Sequence, residues 1–178
     1  MSILENLYKN NLGLLCEKLA YNKKEQAPRL VKVCVNMGMG NVASDSKIAN
    51  YYFTILRLIS GQKPVYTYAR KSISGFKIRE GEIVGCKVTL RKKRMYEFLE
   101  KLIYITLPEE KVFKGLSSKQ FDNRGNISLS IKEHTSFLEG RYTLEGKVIG
   151  MDINIVTSAT NNKDAKELLS ILKFPFFD

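Results

Sequence analysis

The residue types able to carry catalysis are few and poorly placed. His134 is the only histidine of the chain. It lies in a polar segment with no nucleophile or metal-ligand pattern near it, and a lone histidine in that setting is expected on the surface rather than as a general base. Glu80 and Glu82 stand one residue apart among cations, where they moderate the charge and do not make an acid/base pair. Gly38-x-Gly40 follows a strand pattern but lacks the third glycine of a dinucleotide loop, and no Gly-Lys-Ser/Thr of a P-loop occurs, so a plain turn is expected. Cys16, Cys34 and Cys86 are far apart, odd in number and never in a Cys-x-x-Cys pair. Neither a disulfide framework nor a zinc site follows from them, which fits a reducing compartment. The expectation is a protein that is not an enzyme and holds no cofactor or metal.

The chemistry that is present suits a polyanion. Lys and Arg total 29 against 18 acids, a net charge of +11, which favours nucleic acid through steering and counterion release. The stretch from Tyr66 to Gly85 concentrates it: Arg70, Lys71, Lys77 and Arg79 are interleaved with Phe76 and tyrosines, and Gly75 and Gly81 free the backbone. A membrane surface would demand a basic amphipathic helix, which is missing, and no run approaches the roughly 18 apolar residues of a span. Glu5, Lys9, Glu17 and Lys18 break up the first apolar run, so no signal peptide is expected and the protein reads as cytosolic.

These residues need elements to position them. Ser2 followed by Glu5 is a capping-box pattern, and Leu4, Tyr8, Leu12, Leu15 and Leu19 repeat with a helical period. From Arg29 the period becomes two, with Val31, Val33, Val35 and Met37 on one face and Lys32, Cys34 and Asn36 on the other. Ser44, Asp45 and Ser46 offer caps for a helix that buries Ile48, Tyr52, Ile55 and Ile59, ended by Gly61. Pro64 prevents continuation, so residues 65–68 form a strand that feeds the long loop 66–85. Cys86, Val88 and Leu90 alternate with Lys87 and Thr89 in the next strand. The run Arg91, Lys92, Lys93 and Arg94 then opposes the dipole of a helix carrying Met95, Phe98, Leu99, Leu102 and Ile105, a conflict that phosphate contacts would resolve. Pro108 is expected to stop that helix. Ile127, Leu129 and Ile131 make a strand, residues 132–146 have no period and read as a loop, and Met151, Ile153 and Ile155 make the last strand. Asn161 or Asn162 then caps a helix burying Ala165, Leu168 and Leu172. The order αβαββαββα lacks regular βαβ alternation, so the fold class is α+β, a single domain over 1–178 with one mostly antiparallel five-stranded sheet and helices on one face.

In that arrangement Lys32 and Asn36 on one strand and Lys87 and Thr89 on another line an uncovered sheet face. It mixes phosphate-seeking cations with short amide and hydroxyl groups able to reach 2′-hydroxyls or base edges. The sheet lacks the stacking aromatics of an RNA-recognition motif, so shape and backbone contacts should dominate.

The chain also resembles a known family. Val-Asn-Met-Gly-Met-Gly (35–40), Ser-Gly-Gln-Lys-Pro-Val (60–65), Ala-Arg-Lys-Ser-Ile-Ser-Gly-Phe-Lys-Ile-Arg-Glu-Gly (69–81), Gly-Cys-Lys-Val-Thr-Leu-Arg (85–91) and Arg-Met-Tyr-Glu-Phe (94–98) are similar to the bacterial ribosomal protein L-five family. So are Lys114 to Ser117, Ser118 with Phe121, Asp122, Arg124, Gly125 and Asn126, and Gly150-Met151-Asp152. The resemblance implies a protein of the central protuberance of the large subunit. It implies that 5S rRNA is bound through Asn36, Gln62 and Thr89, with Lys32, Lys63 and Lys87 beside them, and that the peptidyl-site tRNA is contacted through Arg70, Lys71, Ser72, Gly75, Phe76, Lys77 and Arg79. Large-subunit rRNA, neighbouring large-subunit proteins and a small-subunit head protein are the further implied partners. A bacterial cytoplasm or an organelle would both house such a ribosome. The chain departs from the family where Lys92-Lys93 replaces Gly-Glu, in residues 108–113, and between 133 and 148, where Tyr142 precedes Thr143 rather than Asp and the subunit bridge is expected. The alternative reading, resting on charge alone, is an off-ribosome RNA chaperone or nonspecific RNA-binding module; 5S rRNA lost readily to unrelated RNA would identify it.

Overall fold

The computed structural model describes residues 2–40, 46–110, 113–141 and 148–177. Ser44, Asp45, Tyr142 and Thr143 lie outside the described residues. The architecture is α+β, with one five-stranded sheet in the order β2-β3-β1-β5-β4. Its strands are β1 (Leu30–Gly38), β2 (Val65–Tyr68), β3 (Ile83–Leu90), β4 (Ile127–Ile131) and β5 (Met151–Thr157). The helices are α1 (Ile3–Lys18), α2 (Ser46–Ser60), α3 (Lys92–Lys101), a single turn α4 (Leu138–Arg141) and α5 (Asn162–Ile171). Alternation decides each strand's inner face: Val33, Val35 and Met37 of β1, Cys86, Val88 and Leu90 of β3, and Ile153 and Ile155 of β5 are all buried. Val31 breaks the expected pattern. It is 43% exposed while Leu30 is buried, because the alternation slips at the strand's first residues.

The chain divides into two compact units. The first comprises residues 1–33, 91–129 and 154–178. Here α1 packs on α3 and α5, with Leu4 and Leu15 facing a core that includes Phe98, Leu99 and Leu168. The expected capping box does not form. Ser2 occupies the N-cap position without a side-chain cap bond, and Glu100 of α3 takes over: its Oε1 accepts from Ser2 Oγ at 2.5 Å and from the Leu4 N–H at 2.8 Å. A carboxylate at a helix N-terminus satisfies orphan donors and the dipole together.

Nor does α3 stop before Pro108. Beyond Lys101 it passes through a π-helical stretch, Leu102–Thr106, and ends with a turn at Leu107–Glu109. The wider π turn rotates the buried face, so Ile103, Thr106 and Leu107 are enclosed and Ile105 is 36% exposed. Asn161 is the N-cap of α5 but makes no side-chain cap bond. Asn162 instead accepts from the Gly125 N–H at 3.2 Å, tying the helix start to the turn before β4.

The second unit comprises residues 34–90 and 130–153. In it α2 packs on β3 and on α4, burying Tyr52, Ile55, Leu56 and Ile59. Gly61 adopts φ +64° and ends α2. Contrary to the loop expected over 132–146, the described part of that segment is packed: a 3₁₀ turn at His134–Ser136 leads into α4, and Phe137 is 1% exposed. Periodicity misses such a segment because its burial comes from two side chains and not from a face.

Candidate nucleic-acid interface

The uncovered face of the second unit starts from strand pairing. β2 runs antiparallel to β3 with Val65 opposite Lys87 and Thr67 opposite Gly85, and the register shifts between Thr67 and Tyr68. Opposed residues point to the same side, so Val65, Thr67 and Lys87 share the face from which Cys86 and Val88 turn away. A Cβ at Gly85 would come within 2.6 Å of the Met37 carbonyl oxygen. Glycine there lets the backbones of β1 and β3 approach, and the Met39 N–H reaches the Val84 carbonyl at 3.0 Å.

The residues expected to bind rRNA are partly gathered by this pairing. Cys34 Sγ lies 3.8 Å from Thr89 Oγ1, which sets the polar side of β1 against that of β3. Asn36 follows on the same side of β1 and is half-buried, and Lys32 precedes Cys34 by two residues, also half-buried. Gln62 has a role the sequence does not reveal: its Nε2 donates to the Thr89 carbonyl oxygen at 3.1 Å. Buried Ser60 fixes the turn that brings it there, donating to the Leu56 carbonyl at 2.6 Å and accepting from the Gln62 N–H at 3.3 Å. Lys63 and Lys87 are exposed. Cys86 backs this face, and burial pushes its thiol up to about 12, so it is an inert packing group.

Beyond the strands, the basic stretch is an arm of residues 69–82, shorter than the loop drawn from sequence because β2 and β3 claim its ends. It is closed by its own backbone. The Ala69 N–H donates to the Glu82 carbonyl at 2.8 Å and the Gly81 N–H to the Ala69 carbonyl at 3.0 Å, while Ile73 and Ile78 bridge in antiparallel fashion farther out. Two side chains add to the closure. Glu82 Oε2 accepts from the Arg79 N–H at 2.9 Å, and Ser72 Oγ accepts from the Glu80 N–H at 2.9 Å. At the tip the left-handed residue is Lys77, φ +53°, and not Gly75, where an added Cβ would meet nothing within 4 Å. Phe76 is 64% exposed. Arg70, Lys71, Lys77 and Arg79 are exposed and make no ion pair among the described residues. The arm thus holds its backbone and spends none of its cations on itself.

The remaining basic run, in the first unit, starts α3. Arg91 is the N-cap, without a side-chain cap bond, and Lys92 has φ +52°. Lys93 pairs with Glu97 at 3.6 Å. Arg94 is exposed but engaged within the fold.

His134 is buried, against the expectation of a surface residue. It is 2% exposed, its Nδ1 is 3.2 Å from the Ile149 carbonyl oxygen and 3.3 Å from the Ile149 nitrogen, and its ring meets Tyr52 edge-on at 6.1 Å. Burial holds its pKa below the ordinary histidine value, so it is a neutral core group. Among the described residues no cluster of His, Cys, Asp or Glu could hold a metal ion, and no helix is long and apolar enough to cross a membrane.

Comparison with known proteins decides the family. Residues 24–79 match the family model described as ribosomal protein L5, and residues 83–176 match the model of the same ribosomal family's C-terminus. The chain belongs to the ribosomal protein L5 family. It is 60% identical over 177 residues to the large ribosomal subunit protein uL5 of Wolbachia pipientis subsp. Culex pipiens (strain wPip), covering 99% of each chain. It is 56% identical to the uL5 of Ehrlichia canis (strain Jake), covering 99% of this chain and 100% of that one. With Anaplasma phagocytophilum (strain HZ) uL5 the identity is 57% over 92% of this chain and 93% of that one. As a member of the L5 family the chain is a structural, non-enzymatic constituent of the ribosome.

Proposed function

We propose that this L5 protein sits in the large ribosomal subunit, anchors to 5S rRNA through the uncovered side of β1 and β3, and offers the arm 69–82 to the peptidyl-site tRNA. The observation that carries the anchor is the constellation around Thr89. Cys34 lies beside its hydroxyl and Gln62 holds its carbonyl, so Thr89 and the Asn36 that follows Cys34 stand on a face fixed before RNA arrives. Short polar groups on a rigid sheet suit the shallow groove and 2′-hydroxyls of RNA, and Lys32, Lys63 and Lys87 supply the phosphate contacts that position it. The arm supports a different reading for its own residues. Its cations make no ion pair among the described residues and its Phe76 is bare, as a surface completed by a second polyanion would be. Large-subunit rRNA, neighbouring proteins and, near residues 133–148, a small-subunit head protein complete the set of partners.

Sedimentation tests the reading as a whole. The protein should travel with large subunits and leave them together with 5S rRNA; a protein that stays in the soluble fraction, or departs without 5S rRNA, refutes it.

A further inference from the structure

We propose that a groove at the start of α3, lined by Arg29, Lys92 and Lys93, is an additional RNA-contact surface that grips a phosphodiester backbone. This role rests on the chain being an RNA-binding ribosomal protein and adds a surface that neither the sheet face nor the arm contains. The groove encloses about 470 Å³, and Tyr96 lines it beside the cations. Arg29 enters from a fixed base: its N–H donates to Ser158 Oγ at 3.0 Å and its carbonyl accepts from the Ser158 N–H at 2.9 Å. Glu5, the one acid among the described residues that line the groove, is paired with Lys9 Nζ at 2.8 Å. Lys93 shares only a 3.6 Å contact with Glu97, between side chains 75% and 48% exposed, a pairing that water and salt weaken. Arg29 and Lys92 make no ion pair among the described residues.

The groove therefore presents charged donors from two separate stretches of chain, and the one acid among its described lining residues is already paired. Arg29 offers a planar fork matched to phosphate, and the lysines act as point charges on neighbouring phosphates. A ribbon of regularly spaced phosphates can engage several of these cations at once and gains from counterion release, which favours RNA over a single acidic side chain. Lys92 holds φ +52°, a conformation glycine adopts with less strain, so the lysine is there at a cost to the backbone.

Directed hydroxyl-radical probing tests this on the full chain assembled into large subunits. An Fe–EDTA group tethered to Lys93→Cys should cut RNA at a discrete cluster of sites absent from the same reaction on the unmodified protein, whose native cysteines supply the background. Assembly without such cuts overturns the groove and leaves the ribosomal reading standing, and so does a crosslink from the same cysteine to protein alone, the result expected of an acidic protein partner. Failure to enter large subunits overturns both. As a second readout, Lys92→Gly combined with Arg29→Gln should make the logarithmic salt dependence of retention on large subunits shallower by about 0.9 for each of the two phosphates no longer neutralised. Lys92→Gly relaxes the backbone, so a loss of retention cannot be ascribed to a failed fold; an unchanged slope contradicts the proposal.

Discussion

The arm 69–82 and the segment 132–141 are both aperiodic, polar stretches hung between strands, and they end in opposite states. The arm satisfies its backbone by bridging Ile73 to Ile78 and leaves its side chains outside, Phe76 at 64% exposure. The other segment turns Phe137 and His134 inward, to 1% and 2%, and sets Gly140 so close to His134 that no Cβ fits between them. Lack of period therefore says little about burial. What separates the two is local chemistry: four cations repel the arm from any core, whereas a single aromatic and a neutral imidazole bonded to Ile149 can be enclosed at modest cost.

The sharpest way to break this comparison is to truncate both aromatics. Phe137→Ala should cost about 3–5 kcal/mol in denaturant unfolding, as for other buried aromatics, whereas Phe76→Ala should stay within about 0.5 kcal/mol of the parent; similar losses would erase the distinction. A methyl group probes the same contrast more gently. Gly140→Ala should destabilise by about 1–3 kcal/mol, since the carbonyl of His134 cannot move aside freely, and Gly75→Ala should leave the melting midpoint where it is.

Acid supplies a third contrast. Because the folded-state pKa of His134 lies below its unfolded value of about 6.5, the unfolded chain takes up the proton first. The histidine's contribution to stability is complete above that value and is lost as pH falls toward the folded pKa. Urea midpoints measured from pH 7.5 down to 5.5, round that value of about 6.5, should decline for the parent more steeply than for His134→Gln. Parallel curves would place His134 at the surface. The smallest expected effect lies in the first unit, where Lys92→Gly should gain up to about 1 kcal/mol by relieving a left-handed lysine.

Much of the fold was legible because strands and helices announce themselves by period. β3, β4 and β5 alternate as their sequences do, and α2 buries the stripe Tyr52, Ile55 and Ile59. The face of Asn36 and Thr89 was legible for the same reason. Contacts distant in sequence were not. Glu100 caps α1 from α3, and nothing near Ser2 announces it, while the local Glu5 offers a false partner. Gln62 showed no sign of its bond to the Thr89 carbonyl, because side-chain reach across a turn leaves no pattern. The π stretch of α3 was hidden by Pro108, which looks like a stop but can close a helix whose preceding turn is already widened. At Lys92 no glycine marks the positive φ that the backbone adopts.

The central claim is that the sheet face anchors 5S rRNA and the arm serves another partner, and equilibrium binding of 5S rRNA to two variants at one fixed salt concentration tests it most directly. The doubly substituted Asn36→Ala, Thr89→Ala should lose about 1–3 kcal/mol per position if each hydrogen bond is buried on binding. A variant with Arg70, Lys71, Lys77 and Arg79 all changed to Gln should keep the parent affinity. Undiminished binding by the first, or collapse of binding in the second, would contradict the account.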